Sequence, residues 1–187
     1  MSFIAYTKDE LMNAINDYCN DNENAIINYG DINEWDVSNI NDMSYLFLNN
    51  SNFNYYINDW DVSNVNNMNG MFYDCSGINQ PLNNWDVSNV NSTIKMFYGC
   101  SNFNQPLNNW DVSNNKNMLG MFNGCSNFNQ SLDNWDVSKV TDMTEMFNNC
   151  VSYNQPLNGW NISNVRNTKN IFNNCLIDEE NKPLFNL

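Results

Sequence analysis

Tryptophan occurs at residues 35, 60, 85, 110, 135 and 160 and nowhere else, one residue in every 25. Each opens a copy of one phrase, as in Trp85-Asp86-Val87-Ser88-Asn89. A rare residue on so strict a spacing marks a repeat array, in which no unit buries its apolar side alone and neighbours must stack. A repeating position then becomes a ladder of like side chains along the stack.

Within one period the pattern changes character. In the third copy Trp85 and Val87 alternate with Asp86 and Ser88, which predicts a short strand with an apolar inner side. In the second copy Val65, Met68, Met71-Phe72 and Cys75 then recur every three or four residues, which predicts a helical or 3-10 segment. A corner such as Asn104-Gln105-Pro106-Leu107 returns the chain to the next copy. The expected fold is an α/β repeat solenoid. It is a right-handed stack of six 25-residue rungs over residues 32–175, each a short parallel strand plus a short helical segment.

The ends read as caps. Thr7 and Glu10 are spaced as a capping box, and Leu11, Ile15, Tyr18 and Cys19 fall on one face of the helix that follows, to about residue 20. Residues 1–31 are therefore predicted to hold a capping helix, then a strand at Ala25-Ile26-Ile27-Asn28-Tyr29, with Gly30-Asp31 turning into the first rung. Residues 176–187 are predicted to close the other end with a strand at Leu184-Phe185-Asn186-Leu187.

Composition excludes several function classes. With 7 basic and 21 acidic residues the formal charge is −14, unsuited to nucleic acid, where Lys and Arg must neutralise phosphates, or to anionic membranes. Histidine is absent, which removes the commonest general base and metal ligand together. The N-terminus lacks the basic and apolar regions of a signal peptide, and no apolar run is long enough to cross a bilayer. The six cysteines then read as reduced thiols.

Three ladders are candidates for function. Trp35, Trp60, Trp85, Trp110, Trp135 and Trp160 share their face with valine and read as a structural core ladder. Cys75, Cys100, Cys125, Cys150 and Cys175 are single residues without zinc-site spacing and read as small buried side chains. Asp36, Asp61, Asp86, Asp111 and Asp136, with Ser63, Ser88 and Ser113 two residues after their aspartates, lie on the outer, concave side of the expected strands. Five stacked carboxylates repel one another unless screened, hydrogen-bonded, protonated or neutralised by cations. No Asp-x-Asp-x-Asp-Gly loop occurs, so no metal and no cofactor is expected. Any acid–base pair in the ladder would recur on every rung without a pocket, so the chain is not expected to be an enzyme.

The run Leu-x-x-Trp-x-Val-x-x-Val-x-x-Met-x-x-Met-Phe-x-x-Cys-x-x-Phe resembles the BspA-like class of leucine-rich repeats. It is similar to the 25-residue Trp-Asp-Val-Ser-Asn-Val type of bacterial surface lipoproteins and of proteins from large DNA viruses and protists. The resemblance covers residues 32–175 and implies an LRR-like horseshoe and, in exported members, adhesion or recognition. It implies no reaction. The chain lacks the lipid-attachment cysteine of surface members at its start, so a cytoplasmic or virion-associated protein is expected. Function is expected to be recognition of a protein or glycan through the acidic concave face, by a monomer. The alternative is a structural, self-assembling component of a viral or cellular particle with no ligand on that face.

Overall fold

The computed structural model describes residues 3–185. Two helices open the chain. Helix α1 (Lys8–Asn20) starts at a capping box in which Thr7 accepts from the Glu10 N–H and Glu10 reaches back to the Thr7 N–H. It buries Leu11, Ala14, Ile15 and Tyr18. Helix α2 (Asn22–Tyr29) follows at once, with Asp21 ending α1 and capping α2 through the Asn24 N–H. The strand predicted at 25–29 is thus the second half of α2. Its Ile26-Ile27 pair suggests a strand but points outward, and Ala25 is the residue that α2 buries. Gly30 ends the helix with φ of 76°, a value that glycine adopts without steric cost.

The predicted α/β solenoid of parallel strands does not form. Among the described residues no strand occurs, and beyond α1 and α2 only single 3-10 turns at Ile32–Glu34 and Glu179–Asn181 are helical. What remains of strand pairing is six isolated parallel bridges. One joins Ile4 to Asp36, and five run Asp42, Asn67, Ser92, Asn117, Asp142, Asn167 from copy to copy. The copies do stack in register, but through a different use of the backbone.

Copy two shows the reason. The N–H groups of Met68, Gly70, Phe72 and Asp74 donate to the carbonyls of Ser92, Ile94, Met96 and Tyr98, one copy on, at 2.7–3.1 Å. The intervening N–H groups of Met71, Tyr73 and Cys75 turn back on the carbonyls of Met68, Gly70 and Phe72, at 2.9–3.2 Å. Half of the amides therefore link copies and half close turns. A strand would send both its donors and acceptors sideways, and a helix would keep both local; this segment does neither.

The turns demand left-handed backbone at two places per copy. Tyr45, Gly70, Lys95, Gly120, Glu145 and Asn170 have φ of 55–60°, and Asn49, Asp74, Gly99, Gly124, Asn149 and Asn174 have φ of 53–78°. In copy two these are Gly70 and Asp74, each the third residue of a turn closed by an i→i+3 bond, where a type II turn requires positive φ. Such residues also bar a continuous helix, so the predicted helical segment is a chain of linked turns.

The interior is aromatic and laddered. Phe47, Phe72, Phe97, Phe122, Phe147 and Phe172 stack with successive centroids 5.0–5.7 Å apart. Phe103, Phe128 and Tyr153 form a second column at 6.0 and 5.7 Å. Offset stacks of this kind add about 0.5–1.5 kcal/mol per pair beyond burial. At the C-terminal side Leu184 and Phe185 form no strand: Leu184 is exposed and Phe185 meets Phe172 edge-on at 6.3 Å. Asn186 and Leu187 lie outside the described residues.

Candidate functional site

Each Trp-Asp-Val-Ser run folds around its own aspartate. Trp and Val go inward, and each of the six tryptophans is 3–5% exposed. The aspartate between them stays outside and bends the chain. Oδ1 of Asp36, Asp61, Asp86, Asp111 and Asp136 accepts the N–H of the serine two residues on, at 3.0–3.1 Å. At Asp36 and Asp61 the Ser38 and Ser63 hydroxyls donate to the same oxygen at 2.6 Å. This is the aspartate-seeded turn that competes with strand pairing, and among the described residues no bridge falls on the run in copies two to six. The Asp row therefore exists on a surface of turns, not on the concave face of strands.

The serines belong to the scaffold. Besides serving the aspartates, the carbonyls of Ser38, Ser63, Ser88 and Ser138 accept the side-chain amides of Asn64, Asn89, Asn114 and Asn164 from the next copy, at 2.7–2.9 Å. Among the described residues Ser113 pairs with Asp111 alone, because Lys139 stands where the asparagine would be and bonds Asn114 Oδ1 at 2.7 Å. Once these bonds are made, the second carboxylate oxygen of each aspartate has no hydrogen bond among the described residues.

At three aspartates of the row local hydrogen bonding offsets the like charges. At Asp36, Asp86 and Asp136 the serine hydroxyl and then the serine N–H hold the carboxyl below its ordinary value, outweighing slight desolvation. The charge itself is not what makes the turn. In copy six Asn161 replaces aspartate, and its Oδ1 accepts the Ser163 N–H at 3.2 Å.

The tryptophans act between copies. Nε1 of Trp60, Trp85, Trp110, Trp135 and Trp160 donates to the carbonyl of Ile32, Ile57, Leu82, Leu107 and Leu132 in the preceding copy, at 2.7–3.0 Å. Trp35 follows the cap helices instead of a copy; its Nε1 is buried without a partner among the described residues, beside the edge-on rings of Phe3, Tyr18 and Tyr29. The cysteines are unpaired. Cys100, Cys125 and Cys150 donate to the carbonyls of Phe72, Phe97 and Phe122 at 2.9–3.0 Å. Burial pushes the Cys75 thiol up to about 12 and Cys19 to about 11, far from the thiolate that nucleophilic chemistry or metal binding needs. Among the described residues no group of three or more His, Cys, Asp or Glu side chains could hold a metal ion, and no helix is long and apolar enough to cross a membrane.

A second polar ladder is absent from the sequence reading. Oδ1 of Asn54, Asn79, Asn104 and Asn129 accepts the N–H of the asparagine one copy on, at 2.9–3.0 Å. Gln105, Gln130 and Gln155 reinforce the last three at 3.0–3.1 Å. Asparagine accounts for 46 of the 187 residues, and in this ladder it joins the corners of successive copies through its side chain. The same 25-residue spacing carried that signal. Clefts lie near the cap helices, one lined by Cys19, Asn49, Phe53 and Tyr55 and another by Tyr6, Lys8, Asn39 and Asp42.

Comparison with curated proteins and with solved structures finds no match. A family model described as "Mycoplasma protein of unknown function, DUF285" matches residues 13–122 and, in a second overlapping placement, 84–184. The two placements span both the repeats and most of the cap, and the chain belongs to this DUF285 family of repeat proteins.

Proposed function

We propose that the chain is a non-catalytic recognition module that holds a protein or glycan against its row of aspartate turns. The observation that carries the reading is the row itself: five exposed carboxylates at one position of five successive copies, each fixed through Oδ1 with Oδ2 unengaged. Acceptors already held in place cost a partner little ordering entropy. A row of negative charge favours a basic or hydroxyl-rich partner. None of the clefts described above is lined by an aspartate of the row, so an extended partner fits better than a small substrate. The similarity to BspA-like repeats, whose exported members serve adhesion or recognition, supports the same reading. Thiols spent on main-chain carbonyls suit a reducing compartment such as the cytoplasm.

Copy six supplies the test, because asparagine there keeps the turn without the charge. Wild type and a D61N/D86N/D111N variant are titrated against arrays of glycans and of lysine-rich peptides. A ligand bound by wild type and weakened about tenfold in a variant with unchanged melting supports the row as the binding surface. Equal binding by both proteins removes the aspartates from recognition, and binding by neither overturns the proposal.

A further inference from the structure

Asparagine followed by glycine is chemically labile. The glycine nitrogen can attack the carboxamide carbon of the asparagine before it, and glycine has no Cβ to hinder the approach. The pair occurs at Asn69-Gly70, Asn123-Gly124 and Asn158-Gly159. These three share their chemistry and differ in their surroundings.

The first two pairs sit in the linked turns. The Gly70 N–H donates to the Ile94 carbonyl at 2.7 Å, and the Gly124 N–H to the Asn148 carbonyl at 2.8 Å. Their carboxamides are held as well. Asn69 Oδ1 accepts the Ser92 hydroxyl at 2.7 Å and the Ile94 N–H at 2.9 Å. Asn123 is buried, and its Nδ2 donates to Glu145 at 3.2 Å. Attack at either pair must wait until the joint to the next copy opens.

Asn158 and Gly159 form the middle of a turn closed by the Trp160 N–H on the Leu157 carbonyl at 3.0 Å. Both are exposed. Among the described residues the Gly159 N–H has no hydrogen-bond partner, and the Asn158 side chain makes one bond, from Nδ2 to the Glu180 carbonyl at 3.0 Å. The preceding copy gives the reason. The N–H groups just before Trp60, Trp85 and Trp135, those of Asp59, Asn84 and Asn134, donate to Oδ1 of Asn33, Asn58 and Asn108 one copy back, at 3.0–3.3 Å. For Gly159 the residue at that position is Asp133, whose Oδ1 accepts the Ser131 hydroxyl instead.

We propose that Asn158-Gly159 is a self-modification site, at which the folded chain converts Asn158 to a carboxylate. The Gly159 nitrogen gives its proton to solvent base and bonds to Asn158 Cγ. The Cγ–Nδ2 bond breaks, and the nitrogen leaves as ammonia with a proton from water. A second water opens the resulting succinimide at either carbonyl, which yields aspartate or isoaspartate. The net reaction is hydrolysis of one amide, and nothing is oxidised or reduced. The product has no N–H to offer the Glu180 carbonyl, so the bond between this turn and Glu179–Asn181 is lost. The site uses neither the aspartate row nor its ligand and stands independently of the recognition reading.

Peptide mass spectrometry on the full chain, incubated in mildly alkaline buffer below its melting temperature, tests the site. Asn158 is expected to exchange its amide for a carboxylate, at least about tenfold faster than Asn69 and Asn123, which react only through local opening. In urea all three are expected to convert at comparable rates. A Cβ at Gly159 meets nothing within 4 Å, so G159A is expected to melt like wild type and to slow conversion of Asn158 by about tenfold or more through hindrance at the nitrogen. Folded protein in which Asn158 stays intact, or in which Asn69 or Asn123 converts as fast, overturns the proposal. Conversion of Asn158 at the wild-type rate in G159A overturns it too.

Discussion

A tryptophan in this chain does two jobs, and the first copy separates them. Trp85 fills the core and also donates to the Ile57 carbonyl at 2.9 Å, whereas Trp35 is as deeply buried but donates to nothing among the described residues. Trp85→Phe should therefore cost the lost volume plus about 0.5–1.5 kcal/mol for the lost hydrogen bond, since the Ile57 carbonyl keeps the Trp60 N–H at 3.3 Å. Trp35→Phe should cost the volume alone. Denaturant unfolding of the two variants checks this: equal losses would show that the indole N–H contributes nothing to the joint between copies. At the aspartates the argument runs through pH. Asp36, Asp86 and Asp136 have folded values held down by their serines, below an unfolded value of about 3.9. Their contribution is present above that unfolded value and is lost as pH falls through the folded ones. D36N/D86N/D136N keeps the turns and should flatten the fall in melting temperature below about pH 4. A melting curve as steep as that of wild type would place the acid sensitivity elsewhere.

The repeating element is a chain of turns, and its strain is concentrated where positive φ coincides with crowding. At Gly70 φ is +58°, and a Cβ would lie 2.4 Å from the Tyr45 ring. Gly70→Ala should lose roughly 1–3 kcal/mol from backbone strain and displacement of that ring. Tyr45→Ala in the same protein should recover the steric part and leave the backbone part, a coupling that a double-mutant cycle measures. Additive losses would mean that the ring swings clear at no cost. These elements were half legible in the sequence. The period, the inward face and the α1 capping box can all be read from residue spacing. The linked turns cannot, because bonds from i to i+3 place apolar residues at the same intervals as a 3-10 helix. Which amide of each neighbouring pair leaves for the next copy is decided between copies, where no local propensity reports it. One left-handed position is filled by Tyr45, Gly70, Lys95, Gly120, Glu145 and Asn170, with only two glycines to mark it. The other is Asn49, Asp74, Gly99, Gly124, Asn149 and Asn174. All six belong to the residue types that tolerate positive φ, so that signal was present and argued against a helix. The aspartate row was visible as a period, but its role in turns was hidden by the Trp-Val alternation that mimics a strand.

At the scale of the whole molecule, almost every joint repeats with an offset close to one period, so the array should tolerate loss of one unit in phase. Removing residues 132–156 joins Ser131 to Leu157 and places the Trp160 indole where Trp135 stood, facing the Leu107 carbonyl that Trp135 uses at 2.9 Å. The Phe column closes across the gap, with Phe172 taking the place of Phe147 on Phe122. The Met118 N–H, which now donates to Asp142, meets Asn167 at the equivalent position. In a repeat array stability is close to a sum of unit and joint contributions. The shortened chain should therefore fold cooperatively with lower stability and a smaller denaturant slope, since less surface is exposed on unfolding. Removing residues 132–151 instead joins Ser131 to Ser152 five residues out of phase. Indoles then miss their carbonyls, thiols leave the Cys column, and the left-handed positions fall against residues whose amides point elsewhere. Urea unfolding followed by tryptophan fluorescence distinguishes the cases. A cooperative transition for the in-phase deletion alone identifies the joints between copies as what specifies the fold. Equal behaviour of the two deletions would mean that single copies hold their turns without neighbours, contrary to backbone donors that reach into the next copy at every second residue.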